Sequence, residues 1–212
     1  MVEAIIGPTD ATEEIRAVAI TAVFGSFTSG GTSGPLGNDT DSQVVAALRE
    51  WADAILVGAG TVKAEDYGPA NTPIAVVSHS LDLDISAKLF SGTPPLILSP
   101  ESSISDAALE ERRRALEKAG CEVLSIGGGS AQEITATLRQ RGYGRIICEG
   151  GPSLYANMLS ASLIDVLHLT IAPLINTEIT GLDGEFSQQL ELEHVELDGS
   201  YLFARYRRVA AS

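Results

Sequence analysis

Short apolar runs alternate with stretches of helical period along this chain, and that alternation constrains its fold more than any other feature. Parallel strands need crossover connections, and helices usually supply them, so the pattern predicts an α/β sheet flanked by helices. The strand-like runs are Ala17 to Val23, Ala54 to Val57, Ile74 to Val77, Leu96 to Leu98, Cys121 to Ile126, Arg145 to Cys148 and Val166 to Ile171. Leu190 to Val209 reads as a β-hairpin turning near Asp198-Gly199. The sheet should therefore begin with crossovers and finish with an antiparallel edge: mixed, but mostly parallel.

The helices between these runs carry their own signals. Thr40 and Gln43 read as a T-x-x-Q capping box with Asp41 in the first turn, and Val44, Leu48 and Trp51 repeat on an inward face. A short helix is predicted near Thr61 to Glu65. Ser102 to Ser105 open a longer one ending at Gly120. On it, Arg112, Arg113 and Arg114 follow Glu110 and Glu111, the pattern of a solvated ion-paired face. Gln132 to Arg141, closed by Gly142, and a helix from Ser153 complete the set. At 212 residues the chain is predicted to be a single domain, with residues 1–15 as an N-terminal arm.

Fourteen basic and 28 acidic residues give a formal net charge of −14, which repels nucleic acid and anionic membranes. It does not repel every anion, because backbone N–H groups can hold a phosphate on an acidic protein. No apolar run approaches the roughly 20 residues of a membrane span, and no signal peptide is evident, so the expected location is the cytoplasm. Cys121 and Cys148 sit in apolar stretches and read as buried thiols. His79, His168 and His194 share no ligand spacing, so no metal site is expected. His168, within L-H-L-T-I, reads as a hydrogen-bonded strand residue rather than a catalyst.

Two glycine turns share one design: each follows an apolar strand and opens a helix. Without a Cβ the backbone lets a ligand approach its N–H groups, and the helix N-terminus adds partial positive charge, which together suit a diphosphate. The first is V-G-A-G-T-V, with Gly58 and Gly60; Lys63 stands where a Rossmann fingerprint needs a third glycine, and a tight βα connection explains the turn equally well. The second is I-I-C-E-G-G-P-S-L-Y, Ile146 to Tyr155. Pro152 suits the first helical position, and the N–H groups of Gly150, Gly151, Ser153 and Leu154 are the candidate donors. Glu149, at the strand end, needs a donor such as an amide, a hydroxyl or a substrate amine. Its competing reading is a surface residue on a capped turn. Gly127 to Gly129 read as a flexible loop.

The segment L-R-E-W-A-D-A-I-L-V-G-A-G-T-V-K-A-E-D-Y, Leu48 to Tyr67, resembles the pyrimidine reductase domain of riboflavin biosynthesis (the RibD C-terminal domain family). So does I-C-E-G-G-P-S-L followed by L-I-D-V-L-H-L-T-I-A-P-L. That family has the dihydrofolate-reductase-like fold. The resemblance implies an NADPH-dependent reductase of a phosphorylated ribosylaminopyrimidine, with hydride transfer to C1′. It implies that Thr61 and Glu65, beside Gly58 and Gly60, contact the cofactor, that Gly150, Gly151, Pro152, Ser153, Leu154 and Tyr155 wrap its diphosphate, and that Ser78 meets the adenosine ribose and its 2′-phosphate. It places Ser33, Arg49 and Glu149 on the substrate side.

Two departures stand out. Phe24 occupies the place of the aspartate in the family's S-x-D-G, and Gly68 to Thr72 lack the arginine that reaches the substrate phosphate in many members. They keep open another pyrimidine, a pterin or a carbonyl as substrate, or a non-catalytic nucleotide-binding role. The hairpin, with Tyr201, Phe203 and Tyr206 beside Glu191, Glu193 and Glu196, offers edge strands that need covering, so a homodimer through the C-terminal sheet is predicted.

Overall fold

The computed structural model of the protein describes residues 1–178, 181, 182, 184 and 186–209. In sequence order the elements are α1 (Val2–Ile6), β1 (Glu14–Thr21), α2 (Asp39–Trp51), β2 (Ala54–Gly58), α3 (Ala59–Ala64), β3 (Ile74–Val77), β4 (Leu96–Ser99) and α4 (Glu101–Ile104). Then come α5 (Glu110–Lys118), β5 (Glu122–Ser125), α6 (Ala131–Gln140), β6 (Arg145–Cys148), α7 (Pro152–Ser160), β7 (Val166–Ile171), β8 (Leu190–Asp198) and β9 (Tyr201–Arg208). The strands form one sheet in the order β5-β4-β3-β2-β6-β1-β7-β9-β8. Pairing is parallel from β5 through β7 and antiparallel at β7–β9 and β9–β8, the mixed sheet that the alternation predicts.

Period-two alternation splits the core into two layers. Ile55 and Val57 face α2, α3 and α5 through Val44, Leu48, Trp51, Val62 and Leu116. Leu56 faces α6 and α7 through Ile134, Leu138, Leu154 and Met158. Among the described residues, no helix is long and apolar enough to cross a membrane.

Several boundaries differ from the sequence expectation, each for a local reason. β1 spans Glu14–Thr21 rather than Ala17 to Val23, because it buries charge that hydropathy does not register. Arg16 is fully buried: Nε donates to Glu14 at 2.6 Å, Nη1 to the Ile6 carbonyl at 2.7 Å and Nη2 to the Pro8 carbonyl, with the guanidinium 4.1 Å over Trp51. Those carbonyls lie at the last residue of α1 and just beyond it, and α1 buries Ile5 in the core.

Helix α2 is capped by Asn38, whose side chain accepts the Asp41 N–H at 2.9 Å; Thr40 instead donates to Asp198 at 2.8 Å. Helix α3 starts at Ala59, with Gly58 as its cap, not at Thr61. The long helix predicted from Ser102 breaks where Asp106 accepts the Ala108 N–H, and resumes as α5. On α5, Arg113 and Arg114 pair with Glu117 and Glu110, a solvated face as expected. The Gly127 to Gly129 turn is filled rather than loose. The Glu133 carboxylate accepts N–H bonds from Gly128 and Ser130 at 3.0 Å and the Ser130 hydroxyl at 2.6 Å, which draw its pKa down to about 2.

Cys121 and Cys148 are buried thiols, pushed up to about 11 and about 12 by desolvation. His168 is a buried strand residue, as expected, but among the described residues neither ring nitrogen has a hydrogen-bond partner. Burial, reinforced by Arg16 and Arg205, holds its pKa near 3.

Candidate active site

Leu56 on β2 lies opposite Cys148 on β6, so the two glycine turns leave the sheet side by side at the carboxyl ends of parallel strands. The turns touch. Gly58 N–H donates to the Gly150 carbonyl at 2.6 Å, and a Cβ on Gly151 would fall 2.7 Å from the Thr61 hydroxyl oxygen. They border a cavity of about 530 Å³, within the usual range for a small-molecule site.

This cavity gathers most of the residues singled out from sequence. Gly58, Gly60, Thr61 and Glu65 line it from the first turn, and Gly151 to Tyr155 from the second. Ser33, Arg49 and Glu149 line it too. Gly150 does not, because it supports the turn from behind: its φ is +85°, and any Cβ would strike the Tyr155 ring at 2.3 Å. The Tyr155 phenol, buried and donating to the Val18 carbonyl, holds that ring in place. Ser78 is also outside the lining. It is 2% exposed, and its hydroxyl accepts the Leu81 N–H at 3.1 Å, turning back on its own loop.

Arg49 and Glu149 meet each other in the wall. Arg49 Nε and Nη2 donate to the two oxygens of Glu149 at 2.6 and 2.7 Å, a bidentate pair. The Tyr67 phenol donates to the same carboxylate and accepts from Arg49 Nη2 at 2.9 Å. The Glu149 side chain is only 8% exposed, so it is not a surface residue. Hydrogen bonding to Glu149 raises the Arg49 pKa, and burial raises that of Tyr67. Tyr67 closes the Leu48 to Tyr67 segment, but nothing in its spacing marks it as Glu149's partner.

The glycine-rich loop between β1 and α2 is fastened over the cavity by two carboxylates. Glu65 accepts the Ser33 N–H at 2.8 Å, so it orders this loop rather than standing free toward a ligand. Glu178 accepts the Thr28 hydroxyl at 2.6 Å and the Gly30 N–H at 2.5 Å, and Asn176 donates to the Thr28 carbonyl at 2.8 Å. Glu178 is a contact across 150 residues, which no local pattern announces.

Asp41 is the other residue that sequence underrates. Helix α2 presents Asp41, Val45 and Arg49 to the cavity, one per turn, so Asp41 is more than a complement to the helix dipole. Burial raises its pKa, and the Thr170 hydroxyl offsets part of that rise. Phe24 is 80% exposed and outside the lining. Of the described residues around the cavity, Arg49 is the one basic side chain.

A family model described as the RibD C-terminal domain matches residues 22–203. A reductase of 2,5-diamino-6-ribosylamino-4(3H)-pyrimidinone 5′-phosphate from Methanothermobacter thermautotrophicus is 30% identical over 190 residues, covering 80% of this chain and 83% of that protein. A reductase of the same name from Archaeoglobus fulgidus is 26% identical over 196 residues, covering 80% and 87%. A solved pyrimidine reductase-like protein from Corynebacterium diphtheriae superposes with a TM-score of 0.89 at 32% identity, with 100% of each protein covered. A dihydrofolate reductase from Enterococcus faecalis, 15% identical with a TM-score of 0.58 over 93% of this chain and 97% of that one, shares the fold alone.

Proposed function

Because the chain belongs to the RibD C-terminal domain family, we propose that it is an NADPH-dependent reductase of a ribosylaminopyrimidine 5′-phosphate, acting at C1′ of the ribosylamino group. The observation that carries this reading is the division of one cavity into two halves: touching glycine turns on one wall, and the Arg49–Glu149–Tyr67 cluster with Asp41 on another.

The residues present fit a dinucleotide. A Cβ at Gly60 would meet nothing within 4 Å, so that backbone opens directly to the cavity. The first turn of a helix has N–H groups without helical partners, and in α7 that turn lies on the cavity wall. Gly60, Thr61 and Leu154 would hold the diphosphate; the nicotinamide, when bound, supplies hydride. Glu149, fixed by Arg49 and Tyr67, would orient the pyrimidine by accepting from its N–H or amine groups. Arg49 retains Nη1 for the sugar or phosphate. The loop fastened by Glu65 and Glu178 would exclude water.

Phe24 and the missing cation in Gly68 to Thr72 favour a second reading, in which the same cofactor serves another pyrimidine, a pterin or a carbonyl. We further read the protein as one cytoplasmic domain that dimerises through β8, where Leu192, Val195 and Leu197 stand exposed. Light scattering at dilute concentration should show a dimer; a monomer removes that part.

The test is calorimetric titration with NADPH and NADH, followed by NADPH oxidation with the diaminopyrimidinone and aminouracil ribosylamino phosphates. Tight NADPH binding, weak NADH binding and turnover of either phosphate support the reading. Turnover of only a pterin or carbonyl selects the second, and binding of neither cofactor defeats both.

A further inference from the structure

Four carboxylates line the cavity, and three are already committed. Glu149 is held by Arg49 and Tyr67, Glu65 by the Ser33 N–H, and Asp66 by Lys88 at 2.5 Å. Asp41 is the exception: among the described residues no cation reaches it within ion-pair distance and no N–H holds its oxygens. Its neighbours argue for a carboxyl that exchanges a proton. Thr170, buried on β7, offers a hydroxyl that can donate to the carboxylate or accept from the acid. The Asp198 carboxylate, from the hairpin turn, binds the adjacent Thr40, and Asp39 stands in the same helical turn. Neither is a partner of Asp41: burial is what disfavours its carboxylate, and the Thr170 hydroxyl offsets part of that. Arg49, two turns along α2 and about 12 Å away at 1.5 Å per residue, gives its charge to Glu149.

We infer that Asp41 is the proton donor of this site. The inference rests on the reductase reading above. Hydride adds to the carbon of an acyclic imine (C=N) in the substrate, the π pair passes to nitrogen, and nitrogen takes the Asp41 proton. The products are a secondary amine, oxidised cofactor and the Asp41 carboxylate, which solvent reprotonates. Arg49 and Glu149 supply no proton: one is a cation already bonded, the other a carboxylate accepting three hydrogen bonds. The raised pKa of Asp41 agrees with this assignment but does not create it.

The test joins a readout without turnover to one with it. Carbon NMR of the aspartate carboxyls in the ligand-free protein, assigned by comparison with Asp41→Asn, should show Asp41 titrating above the ordinary range of about 3.9. Wild-type kcat should fall as pH rises through that same value, because the acid form is the active one. Asp41→Asn should lose at least about a hundredfold in kcat, the lower end for a general acid, and lose that pH break. It should keep its fold by circular dichroism and its NADPH affinity, and Asp41→Glu should recover part of the rate. Asp41 titrating at or below about 3.9 overturns the assignment, as does Asp41→Asn with wild-type kcat and pH profile. If wild-type protein turns over none of the substrates above, the reductase reading fails and the donor role falls with it. An active wild type with an indifferent Asp41→Asn sinks the donor role alone.

Discussion

Replacing Arg49 by alanine separates what this residue does for the fold from what it does for a ligand. In the folded protein Arg49 supplies two of the three hydrogen bonds to Glu149. Its loss leaves a carboxylate that is 8% exposed with Tyr67 as its remaining donor. Breaking a fully buried ion pair costs about 3–5 kcal/mol. Arg49 is 28% exposed, so water can fill its place, and the expected cost falls to about 2 kcal/mol. For a protein of this size that lowers Tm by about 4–8 °C. Glu149→Gln alone leaves Arg49 facing a neutral amide. The double variant removes both charges together, so its destabilisation should be smaller than the sum of the singles by about 1 kcal/mol or more. Urea unfolding of the four proteins measures that coupling. NADPH affinity by calorimetry should be unchanged in Arg49→Ala, while the substrate KM rises. Additive stabilities, or an equal loss of cofactor and substrate affinity, would refute the reasoning, because either means that the pair is not the separate substrate wall described above.

Two further predictions follow from local geometry. Gly151→Ala should weaken NADPH binding at least tenfold, because its Cβ would lie 2.7 Å from the Thr61 hydroxyl; adding Thr61→Ala should restore much of the loss, which calorimetry would read. For His168 the sign is that of a base whose folded pKa is depressed: its stabilising effect is complete above the unfolded value of about 6.5 and is lost as pH falls toward the folded value of about 3. Each pH unit in that window costs at most about 1.4 kcal/mol, so wild-type Tm should already decline between pH 6.5 and 5, and His168→Leu should flatten that decline.

How far the molecule could be read from its residues depends on the range of the interaction. Ile74–Val77 is apolar throughout, Arg145–Cys148 is apolar after its first residue, and Val166–Ile171 sets His168 and Thr170 between apolar residues; their ends match the reading to the residue. Glu14 and Arg16 defeat the same reading because they neutralise each other inside the sheet. The glycine-turn wall of the cavity was legible because such turns and the helices they open are local. Ser78 misled because a strand-end serine can serve a ligand or its own turn, and here it caps Leu81. Tyr67, Glu178 and the cavity role of Asp41 depend on partners 82, 150 and more than 100 residues away, and only folding brings them together.

The C-terminal hairpin looks like the most expendable part of the sheet, yet it sets the position of helix α2. Asp198, at its turn, accepts from both Asn38 and Thr40, which start the helix that carries Asp41 and Arg49. The register that brings Asp198 there depends on an irregularity between Leu192 and His194. A strand's sides alternate with every residue, so one residue inserted or deleted between His194 and Asp198 would unfasten the helix start while leaving every cavity residue in the sequence. Drift in the length of this strand should therefore be tolerated poorly, and a search for inactivating lesions that spare the cavity should find them here, on the face that looks most like scaffolding.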